Sequence, residues 1–109
     1  MEKINDFCIV FVSTDTFESA QHISRIIVSE QLAACSSIIP NITSIYGWNG
    51  NLTESHEYQL QIKTKLSKFD VLEARIRELH TYEVPEIIAV KIESGNPAYL
   101  NWVNDSLCD

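Results

Sequence analysis

The dipeptide Asn49-Gly50 constrains the fold of this chain more than any other feature of its sequence. Asn followed by Gly supplies the two positive φ angles that a type I′ hairpin turn requires. The segment before the turn, residues 35–48, is rich in Ile, Ser, Thr and aromatic residues, as strands are. After the turn, the residues that alternate with polar ones and form one face are Tyr58, Leu60, Ile62 and Thr64. The sequence therefore predicts a long antiparallel hairpin.

The length of this hairpin has a consequence for assembly. Arms of roughly 14 residues reach about 45 Å, whereas a domain of 109 residues spans only about 35 Å. The tip therefore projects and carries the apolar side chains Ile45, Tyr46, Trp48 and Leu52. Because exposed apolar strand ends seek partners, we predict a closed homo-oligomer in which these residues form the interface and each hairpin lies on a neighbouring sheet. The alternative is a hairpin that folds back over its own sheet at Pro40, which should mark a bulge or an edge.

The rest of the chain alternates strands and helices around this hairpin. The predicted elements are a doubly buried strand over residues 7–12, a helix capped by Asp15 that continues to Leu32, a helix from Ser67 to about His80, a buried strand over residues 87–92, and a short helix begun by Asn96-Pro97. The order is βαββαβ with a terminal helix, in one domain of residues 1–109. This order is typical of an α+β, ferredoxin-like fold, with an antiparallel sheet and both main helices on one face.

The charge of the chain narrows its possible partners. The formal net charge is −7 and Lys and Arg form no cluster, which excludes nucleic acid and anionic membranes because phosphate neutralisation needs a basic patch. Small cations are better-matched partners. The longest apolar run, residues 7–12, is too short to cross a membrane, and the three cysteines show no paired spacing. We therefore expect a cytoplasmic protein with reduced thiols and no membrane association.

Polar and aromatic side chains gather at the junction between the second helix and the last strand. His80, at the helix end, can serve as a metal ligand, as a general acid or base, or as a cation favoured by the helix macrodipole. Tyr82, Glu83 and Glu86 follow it, and with Lys63 of the sheet they are predicted to line a ligand-binding cleft between subunits. The alternative is that Glu83 pairs with Lys63 and that Tyr82 makes a capping hydrogen bond, both serving subunit packing.

No signature of a catalytic site accompanies these residues. The chain contains no nucleophile elbow, zinc-protease motif, P-loop or dinucleotide fingerprint, and it has only three glycines. We therefore predict a binding protein with no tightly bound cofactor rather than an enzyme. Catalysis by His80, Tyr82 and Glu83 is the alternative.

Five segments of the sequence are similar to those of a known protein family. They are Glu30-Gln31-Leu32-Ala33-Ala34-Cys35 leading into Ile39-Pro40, then Ser44-Ile45-Tyr46-Gly47-Trp48-Asn49-Gly50, then Ile62-Lys63-Thr64, then Tyr82-Glu83-Val84-Pro85-Glu86-Ile87, and last Gly95-Asn96-Pro97-Ala98-Tyr99-Leu100. Together and in this order, they make the chain similar to members of the CutA divalent-cation-tolerance family over nearly its whole length.

The resemblance implies a homotrimer with hairpins exchanged between subunits, associated with tolerance of divalent cations such as copper or zinc. Some family members have a cysteine at the end of the first strand and adjacent histidines at the end of the second helix as proposed copper ligands. Here Ser13 and Leu79 occupy two of those positions and only His80 remains, so the soft thiolate that favours copper is absent. The alternative to a metal-tolerance protein is a trimeric signalling or scaffold module that binds a small effector or a partner at intersubunit clefts.

Overall fold

Strands and helices alternate along the chain in the computed structural model, which describes residues 6–109; residues 1–5 of the predicted single domain lie outside the described part. In chain order the elements are β1 (Phe7–Thr14), α1 (Phe17–Ser29), β2 (Cys35–Trp48), β3 (Asn51–Lys65), a 3₁₀ turn (Leu66–Lys68), α2 (Phe69–Leu79), β4 (Ile87–Lys91) and α3 (Pro97–Asp105). Within this described range, no helix is both long and apolar enough to pass through a lipid bilayer.

The strands form one antiparallel sheet in the order β2-β3-β1-β4. Helices α1 and α2 pack on one face of it and enclose the main core, whose largest fully buried side chains include Val10, Val12, Ile23, Ile27, Leu60, Ile62, Leu72 and Ile76. The helix residues recur at intervals of four and the strand residues at intervals of two, so each element presents one apolar face to this core. The predicted α+β, ferredoxin-like fold is confirmed.

The opposite face of the sheet is covered at one end only. Phe7 points to this face and packs with Ala34 and with Val103 of α3 in a second, smaller cluster. Farther along the face, Ile88 and Val90 of β4 are each 51% exposed. The prediction of a buried last strand over residues 87–92 is therefore wrong for a single chain, because α3 does not extend over this part of the sheet.

The hairpin of β2 and β3 has the predicted turn and the predicted irregularity. Asn49 and Gly50 have φ values of 53° and 80°, as a type I′ turn requires. The strand register shifts between Ile39 and Ile42, so a bulge lies where Pro40 interrupts the ladder.

The hairpin projects from the rest of the subunit. The longest principal dimension of the chain is 48 Å, against 25 and 23 Å in the other two directions. Near the tip, Ile45, Trp48 and Leu52 are 63%, 51% and 85% exposed. The predicted projection is confirmed, and the alternative of a hairpin folded onto its own sheet is wrong. An exposed apolar tip of this kind is what the predicted interface between copies requires.

The boundaries of α1 differ from the prediction at both ends. Thr16 rather than Asp15 caps the helix, because the Thr16 backbone is extended and its side chain accepts the Ser19 N–H at 3.0 Å. The helix ends at Ser29. Leu32, which the prediction placed at the end of the apolar stripe of α1, lies in the turn after the helix and packs in the main core. The residue before it, Gln31, has a positive φ of 61°. The stripe therefore contained one residue that is not helical.

The second helix begins later than predicted and the third begins as predicted. Ser67 lies within the 3₁₀ turn, and α2 starts at Phe69 without a side-chain cap. The tighter winding of the 3₁₀ turn places Ser67 ahead of the Ncap position. In α3, by contrast, the Asn96 side chain accepts the N–H groups of Ala98 and Tyr99 at 2.8 and 3.2 Å, with proline at the start of the helix.

Candidate functional site

A cavity of about 550 Å³ lies between the outer part of the hairpin and the turn that joins α2 to β4. The hairpin contributes Ile45, Tyr46, Trp48 and Glu57 to its walls, and the turn contributes Tyr82, Glu83, Val84 and Glu86. Three of the predicted interface residues thus meet three of the predicted cleft residues in one place. The fourth predicted interface residue, Leu52, pairs with Gly47 across the hairpin and lies outside the cavity walls. We call this cavity the acidic cleft.

His80 holds the α2–β4 turn in position over β1. Its Nδ1 atom accepts the Tyr82 backbone N–H at 3.0 Å, so the ring proton is carried on Nε2, which donates to the Ser13 carbonyl oxygen at 2.8 Å. The rings of His80 and Tyr82 also pack together, with centroids 4.8 Å apart. Both ring nitrogens are therefore used in fixing the turn.

Glu57 is the one charged side chain that the described part of the chain buries, with 7% of it exposed. Its Oε2 atom accepts a hydrogen bond from the Tyr82 hydroxyl at 2.7 Å. Among residues 6–109, no hydrogen bond reaches its Oε1 atom and no ion pair includes it. Burial of the phenol, together with the adjacent Glu57 carboxylate, raises the pKa of Tyr82 above its ordinary value. Tyr82 therefore remains a hydrogen-bond donor to Glu57.

The acidic cleft combines negative charge with aromatic surface. Glu83 and Glu86 line it together with Glu57, and its described walls include no Lys, Arg or His side chain. The Ser13 hydroxyl donates to Glu86 at 3.3 Å, a long hydrogen bond that orients the carboxylate. Three aromatic rings share the same walls. Such a site attracts cations and offers apolar surface beside the charges.

Lys63 lies apart from the acidic cleft. Ser13, which lines the cleft, pairs with Gln59 of β3. Lys63 lies four positions farther along β3 than Gln59, or about 13 Å away. Lys63 and Glu83 form no ion pair within the described chain. One subunit therefore does not bring Lys63 to the other predicted cleft residues. Its contribution from a second copy stays a prediction.

No ready metal centre is present in residues 6–109, where no three His, Cys, Asp or Glu side chains are placed to hold a metal ion. Ser13 and Leu79 supply no thiolate or imidazole. Cys8 is buried in the main core, and burial raises the pKa of its thiol to about 11, so it does not replace the missing thiolate. His80 as a metal ligand stays a prediction, and it requires Nε2 to exchange the Ser13 carbonyl oxygen for the metal.

Glu57 is the site residue that the sequence did not single out. The period-two pattern assigns it, with Gln59 and Gln61, to the polar side of β3, which is expected to face solvent. The structure buries Glu57 because Tyr82, 25 positions away in sequence, lies against it. Alternation reports the face on which a side chain lies but not what covers that face, so no local signal marks this contact.

A protein-family model described as CutA1 divalent ion tolerance protein matches residues 8–106. Among curated proteins, the chain is 51% identical over 86 residues to the Protein CutA homolog of Xenopus laevis, covering 79% of this chain and 57% of that protein. It is 45% identical over 94 residues to Protein CutA of Mus musculus, covering 86% and 53%. It is 41% identical over 98 residues to the divalent-cation tolerance protein CutA of Thermus thermophilus, covering 90% and 95%. The chain thus spans little more than half the length of the frog and mouse relatives.

Solved structures share the fold. The divalent cation tolerance protein (Cut A1) from Thermus thermophilus superposes with a TM-score of 0.91 at 39% identity, covering 94% of this chain and 99% of that one. CutA1 from Oryza sativa gives a TM-score of 0.93 at 38% identity, covering 95% of each chain. Because the family model, the sequence identities and the fold all agree over most of its length, the chain belongs to the CutA1 divalent ion tolerance protein family.

Proposed function

We propose that the protein is a homotrimer that acts in the cytoplasm by binding cations, divalent metals such as copper and zinc among them, and not by catalysing a reaction. The observation that carries this proposal is the acidic cleft, whose described walls hold three carboxylates and no basic side chain. The net charge of −7 adds to the attraction for cations. The link between this family and divalent-cation tolerance agrees with the proposal.

Binding rather than catalysis is supported by the polar side chains at the α2–β4 turn. Both ring nitrogens of His80 make hydrogen bonds that fix the turn. The raised pKa of Tyr82 opposes loss of the proton from the Tyr82 hydroxyl. Neither residue is well placed to act as an acid or a base. Cytoplasmic placement is supported by the three free cysteines, Cys8, Cys35 and Cys108, since disulfides form mainly in oxidising compartments.

A homotrimer is supported by the apolar surface that one chain leaves exposed. This surface includes the hairpin tip, with Ile45 and Leu52, and the uncovered sheet face, with Ile88 and Val90. A hairpin laid on the sheet face of the next copy buries both surfaces in a closed ring. We expect three copies because the family resemblance implies a trimer.

The oligomeric state is tested by measuring the mass of the protein in solution by light scattering at micromolar concentration. We expect the mass of three chains for the wild type and of one chain for the double variant Ile45→Asp, Leu52→Asp. The control is Val71→Asp, which introduces one aspartate at an exposed apolar position of α2, outside the predicted interface. A wild type with the mass of one chain overturns the homotrimer.

A bound divalent metal needs more donors than one acidic cleft brings together. No group of three possible ligands is placed for a metal within the described chain, whereas a zinc or copper site uses three or four. We therefore propose that carboxylates of the cleft and His80 act together with groups of a second subunit. Metal binding then depends on the assembly.

Calorimetric titration of Cu(II), and separately of Zn(II), into metal-stripped protein tests this part of the proposal. We expect a binding component that is lost in His80→Ala and in the triple variant Glu57→Gln, Glu83→Gln, Glu86→Gln. His22→Ala, which removes an exposed histidine on α1, is the matched control and should retain it. Equal binding by all of these proteins would show adventitious surface sites and would contradict a metal site at the cleft.

A second function is favoured by the size of the acidic cleft. A volume of about 550 Å³ lies within the range of small-molecule sites, and it far exceeds what one metal ion fills. The protein then serves as a signalling or scaffold module whose effector binds in the cleft. A screen of metabolites for shifts in melting temperature, performed without metal, separates this function from metal binding.

A further inference from the structure

We propose that the bulge formed by Pro40 and Asn41 sets the angle of the outer hairpin and thereby makes copies of this chain close into a ring. The inference rests on the homotrimer proposed above and deepens it, because it names the part of the chain that determines closure.

The bulge adds one residue to the edge strand β2. Between the paired residues Ile39 and Ile42, the register of the two strands shifts. Pro40 and Asn41 fill this interval and lie opposite a single residue of β3, Tyr58. An extra residue of this kind bends its strand and increases the local twist. The outer half of the hairpin therefore continues in a direction that differs from that of the inner half.

The residue types fix the bulge at this place. Asn41 has a φ of 63°, a left-handed conformation that asparagine adopts more readily than most residues do. Pro40 has no N–H to donate, and β2 is an edge strand, where a missing donor is tolerated. At the far end of β2, the Asn49-Gly50 turn fixes the register a second time. The extra residue therefore cannot move along the strand.

The bulge lies where the hairpin leaves the layer of helices. Tyr58, opposite the bulge, packs against the main core, and its ring meets that of Phe17 in α1 edge to face, with centroids 6.0 Å apart. The next residue toward the tip, Glu57, accepts the hydroxyl of Tyr82 on the opposite face of the sheet. Strand β3 is thus held from both faces at the bend. Only the part beyond the bend follows the direction that the bulge sets.

One continuous side of the sheet crosses the bend. Ile88 and Val90 lie on the side that the helices leave uncovered. Alternation along the paired strands places Tyr46 and Trp48 on the same side, beyond the bulge. These four side chains are 41–51% exposed in one chain. The surface available to the next copy is therefore bent at the bulge, and this bend sets the angle between neighbouring copies.

The angle between neighbouring copies determines whether the assembly closes. The proposed contact joins the hairpin of one copy to the sheet of the next, so the two partners use different surfaces. Contacts of this type form a ring only when the rotation from copy to copy closes, which for three copies is about 120°, and otherwise form an open filament. The pairing of β2 with β3 contains one shift of register, at the bulge. This shift therefore sets the rotation.

Deletion of Asn41 tests the proposal, with light scattering of the full chain at micromolar concentration as the measurement. The deletion removes the extra residue but keeps the Asn49-Gly50 turn, so Ile42 and Glu57 can still pair. We expect the mass of three chains to be replaced by that of one chain or of open assemblies larger than three, with the strand signal in circular dichroism retained. A mass of three chains for the deletion variant overturns the proposal.

Two substitutions test the bulge without shortening the strand, and they decide the question if the deletion variant does not fold. Glycine adopts a positive φ freely, whereas a β-branched residue disfavours it. Because a free chain can relax the bulge and the ring holds it, Asn41→Val should raise the concentration at which the ring dissociates by about tenfold. Asn41→Gly, the matched control, should change that concentration less than about twofold. Equal dissociation of the two variants overturns the proposal.

The wild type separates this inference from the homotrimer itself. A wild type with the mass of one chain overturns the homotrimer, and this inference with it. A wild type with the mass of three chains, together with a deletion variant of the same mass, overturns the role of the bulge alone.

Discussion

The inner and outer halves of one hairpin have opposite environments. In the inner half of β3, Leu60 and Ile62 are fully buried under α1 and α2, whereas toward the tip Leu52 of β3 and Ile45 of β2 are exposed. Apolar side chains occur in both halves. The difference is that the two helices pack over the inner half and leave the half beyond the bulge uncovered. Strand composition alone therefore does not decide whether a residue belongs to the core of one chain or to a surface for another.

The two halves also differ in what stabilises them. Full burial of a Leu or Ile side chain contributes roughly 1.5–3 kcal/mol, and the inner half gains this within one chain. The outer half gains it only when another surface covers it. In the proposed homotrimer, unfolding of one subunit and dissociation of the three subunits should therefore respond to different substitutions.

The largest expected effect comes from Ile62→Ala in the inner half, paired with Ile45→Ala in the outer half. The first substitution leaves a cavity in a fully buried core and should lower the free energy of unfolding by about 2–5 kcal/mol. The second should change the concentration dependence of assembly more than the unfolding of a subunit. Chemical denaturation at several protein concentrations measures both effects. Equal effects of the two variants on unfolding would contradict the division between the halves.

At the boundary between the halves, Tyr82→Phe removes the hydrogen bond to Glu57. We expect a loss of about 1–3 kcal/mol in the free energy of unfolding, because a buried carboxylate is left without its donor. Urea denaturation followed by circular dichroism measures the loss. Tyr58→Phe is the control, since none of the hydrogen bonds described for side chains involves the Tyr58 hydroxyl. A loss of the same size in both variants would assign no special role to the Tyr82–Glu57 contact.

The same contact predicts a dependence of stability on alkaline pH. The pKa of Tyr82 is raised in the folded state, so above about pH 10, the ordinary tyrosine pKa, the unfolded chain loses a proton that the folded chain keeps. The stability that this contact contributes is therefore complete below about pH 10 and is lost as the pH rises toward the raised pKa. The difference in denaturation midpoint between wild type and Tyr82→Phe should shrink from pH 9 to pH 11. A constant difference over that range would contradict the linkage.

The smallest expected effect concerns the hairpin turn. Gly50 has a φ of 80°, and Gly50→Ala should cost about 1 kcal/mol because a Cβ disfavours this conformation. Gly47→Ala is the matched control, since Gly47 has no positive φ and a Cβ there meets no atom within 4 Å. Thermal denaturation of the two variants compares them. A larger loss for Gly47→Ala would show that the outer strand, rather than its turn, is the constrained element.

Much of the fold could be predicted because its signals are local. The turn at Asn49-Gly50, the irregularity at Pro40 and the cap at Asn96 each follow from the φ angles or hydrogen bonds that these residue types favour. The two N-caps that were predicted wrongly, Asp15 and Ser67, also rest on local signals. Each lies only one or two residues before the observed start of its helix. Such shifts are decided by the packing of the helix on the core, to which capping patterns are insensitive.

The candidate site was predicted only in part, and for a different physical reason. Tyr82, Glu83 and Glu86 form one cluster in the sequence, and the structure places all three at the acidic cleft. Glu57 reaches the same cleft from a distant strand, and Lys63 does not reach it within one subunit. Contacts between elements depend on register and on the path of the connecting turn, which no single segment encodes.

By itself, the sequence determined the order of the elements, the hairpin turn and its length, the apolar faces of strands and helices, and the negative charge. These properties depend on residue type and on spacing within a segment. Only the tertiary structure decided which face of the sheet stays uncovered, that Tyr82 buries Glu57, and that His80 is committed to two hydrogen bonds. Each of these features arises where segments far apart in the chain contact each other. Burial and hydrogen-bond partners are determined only when those segments pack together.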